Sequence, residues 1–306
     1  MKKVSTDIIR IKSISQQHQI LSLAKPENPL VSIVRFEDFK VIPNETRIKF
    51  TMDFYTATIK KNCGCKVKYG QTHYDFDEGV MSFTAPEQLL TQEGDLTPPA
   101  SGWLLAFHTD FIRNYPLGQK IKEYGFFHYA MNEALILSEK EQSTIENIFN
   151  IIDTEYHLPI DNFSQDVIVS QLDLLLTLCN RYYNRQFITR KAPTSDLLTT
   201  VETLLTDYFN SDKIEKEGLP SVTYLAKQVN MSPKYLSDTL RNLTGQSAQQ
   251  HIQNKLMEKA KQTLATTSLS VSEIAYQLGF EYPQSFSKLF KKKTNLSPLE
   301  FRQSFN

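Results

Sequence analysis

The chain has 306 residues, 40% of them hydrophobic, and its 34 basic and 34 acidic side chains leave no formal net charge. That length suits two or three domains; no apolar run reaches the roughly 20 residues of a membrane helix, and MKKVSTDIIR lacks a signal-peptide core, so a cytoplasmic location is expected. Neutrality hides a division: residues 213–306 hold 13 Lys+Arg against 7 Asp+Glu, and residues 1–212 hold the other 21 and 27, so a polyanion would meet only the C-terminal third.

In chain order, Ser13–Leu21 reads as a short helix ending before Pro26. From Leu30 the texture becomes strand-like. Ile48, Phe50, Met52 and Phe54 alternate with Lys49, Thr51 and Asp53, as in a half-buried strand. Further apolar runs at Lys66–Tyr69, His73–Phe76, Val80–Phe83 and Trp103–Phe107 are punctuated by Asn62, Gly64, Gly70, Gly79 and Pro98-Pro99. Short strands at this spacing predict an antiparallel β-barrel or sandwich over residues 1–135. A small barrel can enclose one ligand. Phe50, Met52, Phe54, Tyr69, Tyr74 and Trp103 are the inward candidates, although barrel cores are filled with such residues in any case.

Helical spacing takes over after Asp110. Glu139–Tyr156 sets Ile145, Ile148, Phe149 and Ile152 on one face. Phe163–Tyr183 carries Ile168, Leu172, Leu175, Leu176 and Cys179 on one stripe, widened by Val169, Leu174 and Leu178. That much apolar surface calls for more than one partner, so residues 136–190 are expected to pack on the barrel and to form a homodimer. A helix buried wholly in its own domain is the alternative. Arg190–Ser195 reads as a linker (191–195 at its core), because Pro193 disfavours helix before it. Ser195 or Asp196 then caps a helix with core face Leu197, Leu198, Val201, Leu205 and Phe209. Asn210–Pro220 reads as a polar connection.

The remainder contains one unit twice. Val222, Leu225, Ala226 and Val229 precede Val271, Ile274, Ala275 and Leu278 by 49 residues. Leu236, Leu240, Thr244 and Ser247 precede Phe286, Phe290, Thr294 and Ser297 by 50. Each copy reads as two short helices with a tight turn, over 221–244 and 271–294, and the second has one extra residue in its turn. Ser247–Thr266 joins them as a helix with Ile252, Leu256, Ala260 and Leu264 in a four-residue stripe. Gln284, Ser287, Lys288, Lys291 and Lys292 fall off the buried face of the last long helix. Amide, hydroxyl and ammonium groups on such a face suit the major groove. A lysine-rich face is also what a solvated packed helix displays; the duplication tips the balance.

These residues carry a resemblance. SVTYLAKQVNMSPKYLSDTLRNLTGQS, KLMEKAKQTL and above all SVSEIAYQLGFEYPQSFSKLFKKKTNLSPLEFR resemble the DNA-binding domain of the AraC/XylS family of bacterial transcription regulators. KPENPLVSIVRF, DFDEGVMSFTAPEQ and GWLLAFHTDFI are similar to segments of that family's cupin-like N-terminal domain. The resemblance implies an α+β chain: a cupin-like barrel, a helical dimerisation segment, and over 196–306 an all-α domain with two recognition helices in successive major-groove segments. It implies base-reading positions at Lys234, Ser237 and Asp238 with Arg241 near phosphate, then at Pro283, Gln284, Ser287 and Lys288. Gln284 can pair with adenine and Lys288 or Lys234 with guanine. Asp238 can accept from cytosine or discourage wrong sites, and Pro283 can touch a thymine methyl. Lys291, Lys292 and Lys255 are candidates for phosphate.

The implied partners are promoter DNA, RNA polymerase if the protein activates, and a small-molecule effector; no membrane and no cofactor. An enzyme is not expected. A cupin metal site needs a His-x-His pair, and only His73 and His108 stand near the strands. Cys63-Gly64-Cys65 would supply half a tetrahedral site. Some DNA-repair methyl acceptors pair this DNA-binding domain with a four-cysteine zinc module, and the three cysteines here, one in the long helix, rule against it. The competing possibility is a small-molecule-binding or catalytic barrel that its C-terminal domain tethers to DNA.

Overall fold

The computed structural model describes residues 8–39, 48–61, 67–69, 72–74, 79–92, 101–130, 133–189 and 191–304. Cys63 and Cys65 lie outside them, as do the side chains of Tyr69, His73 and Tyr74. The chain divides into two compact units, Met1–Gln186 and Phe187–Asn306. No helix among the described residues is long and apolar enough to cross a membrane.

The first unit opens with β1 (Ile8–Ile11), α1 (Ile14–Ile20) and β2 (Val31–Arg35). It continues through β3 (Ile48–Met52), β4 (Tyr55–Lys61), β5 (Val67–Tyr69), β6 (Thr72–Tyr74), β7 (Val80–Thr84), β8 (Leu90–Gln92) and β9 (Ser101–Phe107). It closes with α2 (Thr109–Ile112), α3 (Leu117–Lys120), β10 (Leu135–Ile136), α4 (Glu139–Tyr156) and most of α5 (Ser164–Thr189). Five strands form one sheet in the order β10-β7-β4-β9-β2, three form another in the order β1-β3-β8, and β5 pairs with β6.

These sheets are open among the described residues, so of the expected barrel or sandwich the closed barrel is not shown. One pairing departs from an antiparallel barrel outright. β1 runs parallel to β3, with Ile9 beside Phe50 and Ile11 beside Met52.

Alternation along β4 explains the layering, because successive side chains of a strand point to opposite faces. Ala57 and Ile59 are fully buried, and Lys61 Nζ reaches Glu146 of α4 at 2.5 Å. On the same face Trp103 of β9 lies along Phe149 of α4, ring centroids 6.2 Å apart, and Met81 of β7 meets Cys179 of α5 at 3.7 Å. Burial pushes the Cys179 thiol far up, so it is a packing group rather than a nucleophile. Trp103 therefore lies under a helix and not in an enclosed barrel. The opposite face carries Thr56, Thr58 and Lys60.

The apolar stripe of α5 is deeper than it is wide. Ile168, Val169, Leu172, Leu175, Leu176 and Cys179 are buried, while Leu174 stays 46% exposed, as does Ile151 of α4.

The second unit is helical: α6 (Lys191–Asn210), α7 (Lys213–Glu217), α8 (Val222–Gln228), α9 (Pro233–Thr244), α10 (Ala248–Thr266), α11 (Val271–Gln277), α12 (Pro283–Thr294) and α13 (Pro298–Gln303). The expected linker at 191–195 is the first turn of α6. Asn210–Pro220 contains a short helix because Ile214 docks in the core at 5% exposure. One apolar cluster runs through both repeats, with Val201, Leu225, Leu236, Leu240, Leu256, Ala260, Ile274, Phe286 and Phe290 all essentially solvent-free.

Candidate nucleic-acid interface

The two helix pairs share most of their turn and end hydrogen bonds. Ser221 Oγ accepts the Tyr224 N–H at 3.0 Å to start α8, and Ser270 Oγ accepts that of Glu273 at 3.2 Å to start α11. Glu273 returns the bond to the Ser270 N–H at 2.7 Å; its side-chain and backbone bonds with Ser270 hold its carboxyl below the usual range. Each turn then bends through a left-handed residue, Asn230 at φ 54° and Gly279 at φ 77°. The next N–H folds back alike, Met231 to Ala226 O at 2.9 Å and Phe280 to Ala275 O at 3.0 Å.

Gly279 has a second reason to be glycine. A Cβ there would stand 3.1 Å from Gly218 Cα and from the Ile214 carbonyl oxygen. The connection after α7 is thereby seated against the second turn.

Proline opens both outer helices, and a left-handed residue ends both, Gly245 at φ 75° and Asn295 at φ 61°. Thr244 and Thr294 each donate to the carbonyl four residues back at 2.8 Å. Matching residues stand 49 apart up to Phe280 and 50 apart from Tyr282, so the extra residue is Glu281. Its effect is local: Ser232 caps α9 through the Tyr235 N–H at 3.3 Å, whereas Tyr282 makes no side-chain cap on α12.

The outer faces differ. On α9, Tyr235, Leu236, Thr239 and Leu240 are buried, which turns Lys234, Ser237, Asp238 and Arg241 outward. Lys234 Nζ donates to Asp238 Oδ1 at 3.1 Å, and Arg241 donates to the same oxygen at 2.9 Å. Ser237 Oγ accepts the Ala248 N–H at 3.3 Å, which ties that hydroxyl to the start of α10. On α12, Phe286 and Phe290 are buried, Pro283 and Ser287 are half-buried, and Gln284, Lys288, Lys291 and Lys292 are exposed. None of these three lysines forms an ion pair among the described residues. The Ser297 backbone and hydroxyl, with a smaller share from Lys291, hold the Glu300 carboxyl below its usual range. Lys255, on α10, is paired with Glu258 at 3.4 Å.

Sequence reasoning passed over Asn242, Ser285 and Lys293, all exposed beside the named residues. The signal for Asn242 was available, since it stands fifty residues before Lys292. Lys293 shares the three- and four-residue spacing of Phe286 and Phe290, yet it is solvent-exposed.

The first unit holds a separate cavity of about 260 Å³ between the three- and five-stranded sheets. Ile11, Phe50, Met52 and Leu90 form one wall, and Thr56, Thr58, Lys60, Ser82 and Thr84 the other. Thr58 and Ser82 hydroxyls pair at 2.6 Å. Thr56 and Thr84, 4% and 5% exposed, have hydroxyls without a hydrogen-bond partner among the described residues. Phe50 and Met52 thus line a cavity as expected, and Phe54 is sealed in the adjoining core. No group of three metal-ligating side chains occurs among the described residues. His108 instead accepts the Asp110 N–H at 3.2 Å as a helix cap.

Residues 225–304 match the family described as Helix-turn-helix domain. The chain is 41% identical over 75 residues to the uncharacterized transcriptional regulatory protein YesN of Bacillus subtilis, covering 24% of this chain and 20% of that protein. It is 27% identical over 216 residues to the HTH-type transcriptional activator RhaS of Escherichia coli O6:H1, covering 71% and 62%. It is 25% identical over 237 residues to the lactose operon transcription activator of Staphylococcus xylosus, covering 75% and 81%. Of the curated relatives ranked first, the chain spans between 11% and 62% of the length, short of two thirds.

Proposed function

We propose that this chain, whose C-terminal unit carries a helix-turn-helix DNA-binding domain of the AraC family, is a sequence-specific transcriptional regulator that lays α9 and α12 into two successive major-groove segments. One observation carries the reading. A duplicated scaffold, repeated down to its turn hydrogen bonds, presents two helices whose outward side chains are donors, acceptors and cations. A solvated face needs no such repetition.

In this reading Gln284 pairs with adenine and Lys288 with guanine, because amide and ammonium groups match those base edges. Pro283 touches a thymine methyl, and Ser237 and Ser287 lie at the edge of each reading surface. Lys291, Lys292, Arg241 and Lys255 meet phosphate, which positions without specifying. The first unit is a sensor where a small effector binds and alters DNA affinity, supported by the cavity and by the Thr56 and Thr84 hydroxyls, which have no partner among the described residues. The α4–α5 helices join two copies, supported by the uncovered Leu174 and Ile151. RNA polymerase is a further partner if the protein activates. A cytoplasmic, non-enzymatic role belongs to the same reading.

Selection of duplexes from a random library by the full chain tests it. The expected product is a site with two preferred segments roughly 10 base pairs apart. Retention of all sequences alike would leave a DNA tether and remove the regulator. On the selected site, Gln284→Ala should relax preference at one base pair by roughly 1–3 kcal/mol; equal weakening on every sequence would show that Gln284 reads no base.

A further inference from the structure

Asp238 is the one acidic side chain on α9. It stands at a position that the resemblance gives to base reading, and its counterpart fifty residues on is Lys288. It is also the most covered of its trio, 13% exposed against 39% for Lys234 and 53% for Arg241. Both cations reach the same oxygen, Oδ1, one from the preceding turn of helix and one from the following turn. Lys before Asp at this spacing is the weaker order for helix stability. Asp before Arg is the stronger order, but such pairs add little to a helix, so support for the helix is a small part of what the arrangement does.

We propose that Asp238 is a positioning residue that sets sequence selectivity: it holds the Lys234 ammonium and the Arg241 guanidinium at one separation and lowers the attraction of α9 for DNA of any sequence. The inference rests on the DNA-reading function above. Two untethered cations would swing to whatever phosphate lay nearest and bind without regard to sequence. Tethered, they meet the duplex in one register, and a site with matching acceptors there is favoured over the rest. The carboxylate faces its own cations, so it accepts from them rather than from a cytosine amino group.

The test uses the full chain, its selected duplex and a scrambled duplex of the same length, over a series of salt concentrations. Asp238→Asn should bind the scrambled duplex about tenfold more tightly at low salt, with a salt slope steeper by about one. The preference for the selected site should fall by about tenfold, spread over several base pairs. Asp238→Glu keeps the charge and should recover most of that preference. A loss confined to one C·G pair, with scrambled-duplex affinity unchanged, would make Asp238 a base reader and overturn the proposal. So would a lowered melting temperature with selectivity intact. Failure of the unmodified chain to select any sequence would instead overturn the DNA-reading function, and this inference with it.

Discussion

The two helix-turn-helix copies share a scaffold and differ in the charge they present. On α9 Lys234 and Arg241 close on Asp238, so part of the outer face's positive charge is cancelled. On α12 Lys288, Lys291 and Lys292 stand open. Buried positions and turns are fixed by packing and by obligatory backbone hydrogen bonds, so they repeat. Outer positions carry no such obligation and are free to diverge. The difference assigns the copies unequal parts: α12 supplies most of the electrostatic attraction, and α9 supplies a constrained pattern.

The largest expected effect concerns what the copies share. Leu240 and Phe290 are equivalent positions, both fully buried in one cluster. Leu240→Ala should cost about 2–5 kcal/mol and Phe290→Ala about 3–5 kcal/mol, a large part of a domain's typical 5–15 kcal/mol. Because the cluster is continuous, either substitution should lower amide-exchange protection in α8–α9 and in α11–α12 together. If Phe290→Ala opened only the second pair, the copies would be independent folding units and the shared-scaffold half of the comparison would fail.

The next effect concerns charge. Lys291→Ala with Lys292→Ala should make the salt dependence of DNA binding shallower by about two, near 0.9 for each phosphate left without its lysine. The equivalent pair on α9, Arg241→Ala with Asn242→Ala, should change the slope by less than half as much, since one residue is neutral and the other is held by Asp238. Equal slopes for the two double variants would erase the proposed asymmetry.

Much of this was legible in the sequence, and the limits are physical. The repeat shows itself because helix cores have fixed spacing and each copy is local. The position of the inserted residue is not legible, since only the matching bonds of Met231 and Phe280 place it at Glu281. The Asp238 trio lay within reach, because residues three and four apart on a helix are neighbours. In the first unit β2, β3, β7 and β9 fall where strands are expected, whereas β4 is not among the expected strands although Tyr55, Ala57 and Ile59 alternate with Thr56, Thr58 and Lys60. How strands pair is a long-range matter that short apolar runs do not encode. The apolar runs therefore leave barrel and sandwich open, and they do not show the parallel β1–β3 pair.

The smallest effect tests the one place where the scaffolds themselves part. Ser232 caps α9, while Tyr282, 58% exposed in the equivalent position, leaves α12 without a side-chain acceptor. Its backbone is extended, at φ −129° and ψ 123°, as a capping residue requires. Tyr282→Ser should offer a side-chain acceptor to the Ser285 N–H, which now donates to the Tyr282 carbonyl oxygen at 3.0 Å, and raise stability by about 0.5–1 kcal/mol, while Ser232→Ala should lower it by a similar amount. Little packing opposes the gain, because most of the tyrosine ring already meets solvent. A fall in stability for Tyr282→Ser, read by urea unfolding, would mean that the ring holds the turn around Glu281. The extra residue would then be part of the scaffold rather than a local addition to it.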